Sequence, residues 1–272
     1  MRPRAGRRTV HGMADDDLPP RLTRLAFHGP LSEERADRFV ARLSRREPAT
    51  VLDIGCGWGE LMLRLLEAVP GAKGVGVDLN GDDLARGRRN AAGRGLLERA
   101  RFLEESAAGT PHGPADVVLC VGSGQALLGP GGTGASGTLP ATIAALRVLR
   151  SLVTPGGRVL FGEGFWQRLP TSEELAAMWP GARADDHLLL AEVAEAATAA
   201  GFRVEAIETA DESEWEDFES GYLADVEEWL ARHQGHPLAG GTRERVDRHR
   251  ASWLRGYRNV LGLAYLTLIP DA

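Results

Sequence analysis

An apolar run that breaks straight into three closely spaced glycines, Val51-Leu52-Asp53-Ile54-Gly55-Cys56-Gly57-Trp58-Gly59-Glu60, restricts this chain more than any other stretch. The branched residues at 51, 52 and 54 favour a buried strand, and a helical pattern resumes after the glycines. Between the two the chain must turn sharply. Glycine permits this because it takes positive φ at no Cβ penalty and lets a ligand come close to the backbone. Spacing narrows the ligand. A dinucleotide fingerprint needs its third glycine three residues after the second, a position held here by Glu60, and a phosphate-binding P-loop needs a lysine that does not follow. Asp53, just ahead of the glycines, favours a cationic or amine-bearing ligand over a pyrophosphate.

A second feature is Gly74-Val75-Gly76-Val77-Asp78-Leu79, a short buried strand that ends in an acid. A carboxylate on such a tip can accept both hydroxyls of a ribose, or it can simply cap the helix that begins near Gly81. Together the acid-x-Gly-x-Gly-x-Gly motif and Asp78 resemble the corresponding motifs of the class I S-adenosylmethionine (SAM) dependent methyltransferases. The resemblance covers about residue 31 to the C-terminus. It implies an α/β fold, a Rossmann-like, doubly wound, mostly parallel seven-stranded sheet, with SAM as methyl donor and S-adenosyl-L-homocysteine as product. It also implies cofactor contacts from Asp53, Gly55, Cys56, Gly57, Gly59, Asp78, Leu79 and Val121. In many relatives an acid followed by a small residue reads the adenine amine. Here that place reads Glu104-Glu105-Ser106-Ala107, so that Glu105 or Ser106 takes the role, beside Ala107. The run from Ala115 to Gln125, with Pro155-Gly156-Gly157 and Gly162-Glu163-Gly164-Phe165-Trp166, is similar to a mostly uncharacterised group of bacterial small-molecule methyltransferases. Many of these carry a histidine or tryptophan near the place of Gln125, and this chain does not. The resemblance puts Gln125, Phe165 and Trp166 in the acceptor pocket.

The alternation of elements agrees with that fold class. Strands are expected at about 50–54, 74–79, 100–104, 115–121, 158–162, 201–207 and 260–268, and helices from Ser32-Glu33-Glu34 onward and at 61–69, 82–94, 139–152 and 185–200. The methyltransferase domain is expected over 21–272, with 211–257 as a helical cap inserted between the last two strands. Two amphipathic stretches there, 212–232 and 242–255, carry Trp215, Tyr222, Trp229 and Trp253, which either line the acceptor pocket, as Tyr222 is expected to, or form the cap's own core. The glycine-rich 129–137 loop is expected to act as a lid. Residues 1–20, with Arg2, Arg4, Arg7 and Arg8 followed by Asp15 to Asp17, lack an apolar stripe and are expected to be a disordered arm, in which Met13 offers a second candidate start.

Composition trims the partners. A net charge of -6 argues against nucleic acid, whose phosphates call for a basic face, and favours a small-molecule acceptor. The chain holds no apolar run of about 18 residues, so no membrane span is expected. Two cysteines, Cys56 and Cys120, at the ends of expected strands suit reduced thiols in the cytoplasm, and no metal signature is present.

Methyl transfer from a sulfonium asks little of side chains. Holding a nucleophile in line can supply on the order of 7–11 kcal/mol, and a positioned base adds about 10² to 10⁴ in rate. The candidate catalytic groups are His28, in Phe27-His28-Gly29-Pro30, and Glu163, at the end of the fifth strand. The expected reaction is SAM-dependent methylation of an oxygen, nitrogen or carbon nucleophile. Alternatives are another SAM-using enzyme on this fold, such as an intramolecular cyclase or rearrangement catalyst, or a non-catalytic SAM-binding protein.

Overall fold

The structure, a computed structural model, describes residues 18–129 and 138–271. The expectations for residues 1–17 of the arm and for most of the 129–137 loop lie outside the described residues. Eight strands form one sheet: β1 (Thr50–Ile54), β2 (Lys73–Asp78), β3 (Ala100–Glu104), β4 (Ala115–Val121), β5 (Val153–Trp166), β6 (Leu188–Leu189), β7 (Phe202–Thr209) and β8 (Leu261–Pro270). Their order is β3-β2-β1-β4-β5-β8-β7, with the two-residue β6 paired only to the tip of β5. All pairings among β1 to β5 are parallel, and β8 runs antiparallel to both β5 and β7. The order reverses beside β1, which pairs with β2 on one side and β4 on the other. That reversal opens a crevice beyond the carboxyl ends of β1 and β4.

Among the described residues eight helices accompany the sheet: α1 (Glu33–Ser44), α2 (Glu60–Ala68), α3 (Gly81–Gly93), α4 (Leu139–Leu152), α5 (Ser172–Ala177), α6 (Leu190–Ala199), α7 (Glu212–Arg232) and α8 (Ala239–Ser252), the last continued by a π turn at Trp253–Tyr257. Phe39, Leu43, Met62, Leu66 and Leu84 from α1 to α3 cover one face of the sheet with Leu119 and Leu160. Ala145, Leu149, Val193 and Ala197 from α4 and α6 cover the other with Ile54, Cys120 and Phe161. Successive residues of β4 thus enter opposite cores, which is why its sequence is apolar without interruption.

Three boundaries differ from expectation for local reasons. β5 begins at Val153 rather than after the Pro155-Gly156-Gly157 turn, because the chain stays in the sheet through a bulge where its register against β4 shifts. The helix expected from 185 starts at Leu190, since residues 188–189 pair with the β5 tip. The eighth strand is β6 itself.

The helices between β7 and β8 are fastened at one end by charge. Glu214, in the first turn of α7, accepts from Ser32 N–H at 3.0 Å, from Ser32 Oγ at 2.6 Å, and from Arg35 Nε and Nη2 at 2.8 Å each. Burial works to raise its pKa, but the Arg35 guanidinium and Ser32 outweigh it and hold the carboxyl down to about 2. Beyond this anchor, Val226, Trp229, Leu230 and Val246 form a core shared by α7 and α8, while Trp253 packs with Trp166, Met178 and Tyr257. Trp229 and Trp253 are therefore core residues of the cap. Substituting Glu214 by alanine leaves the buried Arg35 without its principal partner, and an expected loss of roughly 3–5 kcal/mol should appear as a lower denaturation midpoint at unchanged slope.

Candidate active site

The glycine turn sits at the mouth of the crevice. Gly55 and Gly57 have φ of +60° and +55°, and a Cβ on Gly55 would lie 2.4 Å from Ser123 Cβ, on Gly57 2.5 Å from the His28 ring. Conformation and space both exclude a side chain at these two positions. Ser123, just past β4, donates from Oγ to Ile54 O at 2.6 Å and so clamps the end of β4 to the turn.

Above the turn lies a cavity of about 240 Å³. Its floor is Asp53, Gly55, Cys56, Leu119 and Val121; Leu261, Leu263 and Tyr265 from β8 form one side, Trp215 and Phe218 from α7 another, and His28, Pro30 and Leu31 close it over. Most of this wall is apolar. Asp53 is only 7% exposed, and among the described residues its carboxylate has no hydrogen bond or ion pair. Burial, helped by the nearby Asp78 carboxylate, pushes its pKa up to about 8. Burial raises the Cys56 thiol strongly as well, so it stays protonated.

Asp78 is ordered by the backbone. Its Oδ2 accepts from Gly57 N–H and its Oδ1 from Asn80 N–H, both at 2.8 Å. The helix cap is Asn80, whose side chain accepts from the N–H groups of Asp82 and Asp83. Asp78 is therefore not the cap of α3, and each of its oxygens keeps a lone pair for a ligand. Leu79 beside it is 68% exposed. Of the residues expected near an adenine, Glu105 pairs with His112 Nε2 at 2.6 Å, Ser106 Oγ accepts from Ala108 N–H, and Ala107 is buried.

The segment of residues 18–31 folds back over the turn. Arg86 donates to Leu22 O and Leu25 O, and Thr23 donates to Asp225 of α7 from both N–H and Oγ. Trp58 donates to Ala26 O at 2.7 Å and stacks between His28, at 4.0 Å, and the Arg86 guanidinium, at 3.7 Å. His28 Nε2 lies 3.2 Å from Asp83 Oδ2. Burial lowers the His28 pKa against the pull of Asp83, so the ring is neutral near pH 7.

Four expected site residues fall elsewhere, and so does the second catalytic candidate. Phe161 and Phe165 both enter the core under α4 and α6, and Glu163, between them on β5, shares that face; Gly164, with the opposite parity, is the β5 residue that meets the cavity. Glu163 lies against Gly124, and burial pushes its carboxyl up to about 7 against a Gly164 hydrogen bond that lowers it. Phe165 is core for the same reason of parity. Trp166 is 1% exposed and donates to Ala184 O inside the cap's aromatic cluster. Gln125 is exposed on the 3-10 turn Gly124–Leu127, and Tyr222 packs against His249 on the cap with the rings tilted by 57° and their centroids 4.5 Å apart. Conversely, Asp83, Phe218, Leu263 and Tyr265 belong to the site's surroundings without having been singled out as its residues, and of the four cap aromatics offered for the pocket Trp215 lines the cavity. The period-2 pattern of the last strand is the signal that marks 263 and 265.

The Glu163 placement has a measurable consequence. Its folded pKa lies above the unfolded value of 4.5, so the folded state binds the extra proton and loses stability as pH rises from about 4.5 to about 7. Glu163→Gln removes this loss: a gain on the order of 1 kcal/mol at pH 8, absent at pH 4, is expected in denaturant titrations.

Fold and site together define a Rossmann-like transferase built around a glycine turn and two strand-tip acids. A family model described as a methyltransferase domain matches residues 52–159. Over 245 residues the chain is 28% identical to the uncharacterized protein YjhP of Escherichia coli, covering 89% of this chain and 93% of that protein. Two solved SAM-dependent methyltransferases, each in complex with S-adenosyl-L-homocysteine, share the fold. The one from Thiobacillus denitrificans has a TM-score of 0.76 at 28% identity, covering 90% of this chain and 94% of that one. The one from Geobacter sulfurreducens has a TM-score of 0.77 at 24% identity, covering 93% and 98%. These likenesses identify a methyltransferase domain on a Rossmann-like fold and support an enzyme whose methyl donor is SAM.

Proposed function

We propose that the chain methylates a small-molecule acceptor held in the cavity above the glycine turn. The observation that carries this reading is Asp53: a buried carboxylate without a partner among the described residues, on the floor of a mainly apolar cavity, calls for a cationic ligand group. The donor's ammonium meets that need. In this reading Gly55, Cys56, Gly57 and Gly59 let the backbone approach the methionine part, Asp78 accepts the two ribose hydroxyls, and Leu79, Ala107 and Val121 pack about the nucleoside. Glu105 or Ser106 reads the adenine amine. When bound, SAM supplies an activated methyl group; the protein supplies position, a dry wall and a proton acceptor. The neutral His28 ring, its Nε2 3.2 Å from Asp83 Oδ2, is left to take a proton from an acceptor hydroxyl or amine. The net charge of -6 supports a small acceptor rather than nucleic acid. Among the described residues no helix is long and apolar enough to cross a membrane, and the two cysteines are free thiols, which supports a cytoplasmic location.

The Asp53 reading is tested by SAM titrations across pH. In the unliganded protein the carboxyl is neutral below about pH 8 and must ionise to pair with an ammonium, so binding releases a proton there. Affinity should climb from about pH 6 to about pH 8, by at most about tenfold per unit, and Asp53→Asn should flatten that climb and weaken binding. A wild-type affinity that falls over this range would contradict the assignment.

With an acceptor found by a one-methyl gain in mass, His28→Ala should lower kcat by about 10² to 10⁴ while SAM affinity changes little. An unchanged kcat would remove the base role.

A further inference from the structure

Trp215 stands in two walls at once. It lines the cavity beside Asp53 and also a second cavity of about 250 Å³ where α7 meets the start of β8, and Leu261 is the one other residue common to both among the described residues. The two cavities differ in chemistry. The inner one is mainly apolar, whereas Asp211, Glu212 and Glu216 line the outer one against a single cation, Arg258, with Gln167 and Asn259 beside them. Arg258 is already committed to Glu212 at 3.1 Å and Glu216 at 2.6 Å, and Asp211 accepts from Glu214 N–H and lies 3.7 Å from Arg35. Three carboxylates facing one guanidinium leave the outer cavity net negative.

Trp215 itself is incompletely satisfied. Trp58 and Trp166 donate their indole N–H to backbone carbonyls, but Trp215 Nε1 is buried with no hydrogen-bond partner among the described residues. Trp229 shares that condition yet lines neither cavity. A buried donor without an acceptor is a cost that native structures retain for a reason, and a tryptophan that served only as filler would not need to stand between two open spaces. The base of α7 is held by the Glu214–Arg35 pair, and the indole lies between the rings of Phe218 and Tyr257, 6.4 and 6.2 Å away.

We infer that Trp215 is the specificity-determining partition of one acceptor channel, and that the acceptor has an apolar, ring-sized body for the inner cavity and an amine tail that turns the indole aside to reach the outer one. The apolar body presents the methylated atom beside the cofactor, and the carboxylates beyond Trp215 select the charge of the tail. This rests on the SAM reading of the inner cavity.

The test uses protein saturated with S-adenosyl-L-homocysteine and three probes: toluene, phenethylamine and hydrocinnamate, read by calorimetry on wild type, Trp215→Ala and the outer-rim variant Glu216→Gln. Homocysteine-nucleoside affinity should stay within about twofold in both variants, since neither residue is assigned to the cofactor. Phenethylamine should gain about tenfold or more on removal of the indole, toluene should gain distinctly less, and hydrocinnamate should bind at least about tenfold more weakly than the amine. Glu216→Gln should narrow the gap between amine and carboxylate without altering toluene. Equal binding of amine and carboxylate, or an equal gain for toluene and phenethylamine, overturns the partition. Loss of nucleoside binding in Trp215→Ala alone overturns it too, by placing the indole in the cofactor site. Failure of wild type to bind the nucleoside instead overturns the SAM reading on which the inference stands.

Discussion

A buried carboxyl without a cation partner among the described residues organises this molecule's working end. Asp53 ends a central strand of a sheet covered on both faces, and nothing among the described residues neutralises it. A carboxylate in that position either keeps a proton or acquires a cation, because burial and the nearby Asp78 push its pKa up to about 8. The topology gives it this place: β1 lies where the strand order reverses, so its carboxyl end opens into the crevice between two crossovers. The glycine turn then keeps the crevice open where any side chain would fill it.

The crevice becomes a cavity only because two segments distant in sequence close over it. The segment of residues 18–31 is fixed by carbonyl contacts to Arg86 and by Asp225, which accepts from Thr23. Helix α7 is fixed by Glu214, in a cluster where Arg35 also reaches Glu208 of β7 and Arg42 reaches Glu208 in turn. The segment over the site and the base of the cap are therefore both fastened through α7, the one at Asp225 and the other at Glu214. This couples acceptor-pocket geometry to global stability, and partly buried pairs of this kind fix position more than they add free energy.

The parts of this arrangement that rest on local chemistry were legible in the sequence. Glycines forced by a turn, an acid on a strand tip and the 21-residue α7 follow from spacing and periodicity, and the structure holds them at or near the expected bounds. Parity was harder. Side chains alternate along a strand, so whether Glu163 or Gly164 meets the cavity depends on how β5 is placed against β4, and the bulge near Ala115 and the strand start at Val153 are not visible in composition. Glu163 and Phe165 were misassigned for that one reason. Trp166 and Tyr222 were misassigned for another: a bulky aromatic near a site in sequence is drawn first into the nearest core. Asp83 and Trp215 owe their places to contacts across more than fifty residues, which no local pattern encodes.

The central claim is that two strand-tip carboxylates and a glycine turn make a SAM site. It is tested most directly by calorimetric titration of the protein with S-adenosyl-L-homocysteine, in parallel with Asp78→Ala, whose carboxylate accepts from the N–H groups of Gly57 and Asn80. The account predicts binding in about the micromolar range by wild type and at least about a tenfold loss in a variant that still unfolds cooperatively. Equal affinity in the two proteins, or no binding by the wild type, would contradict it.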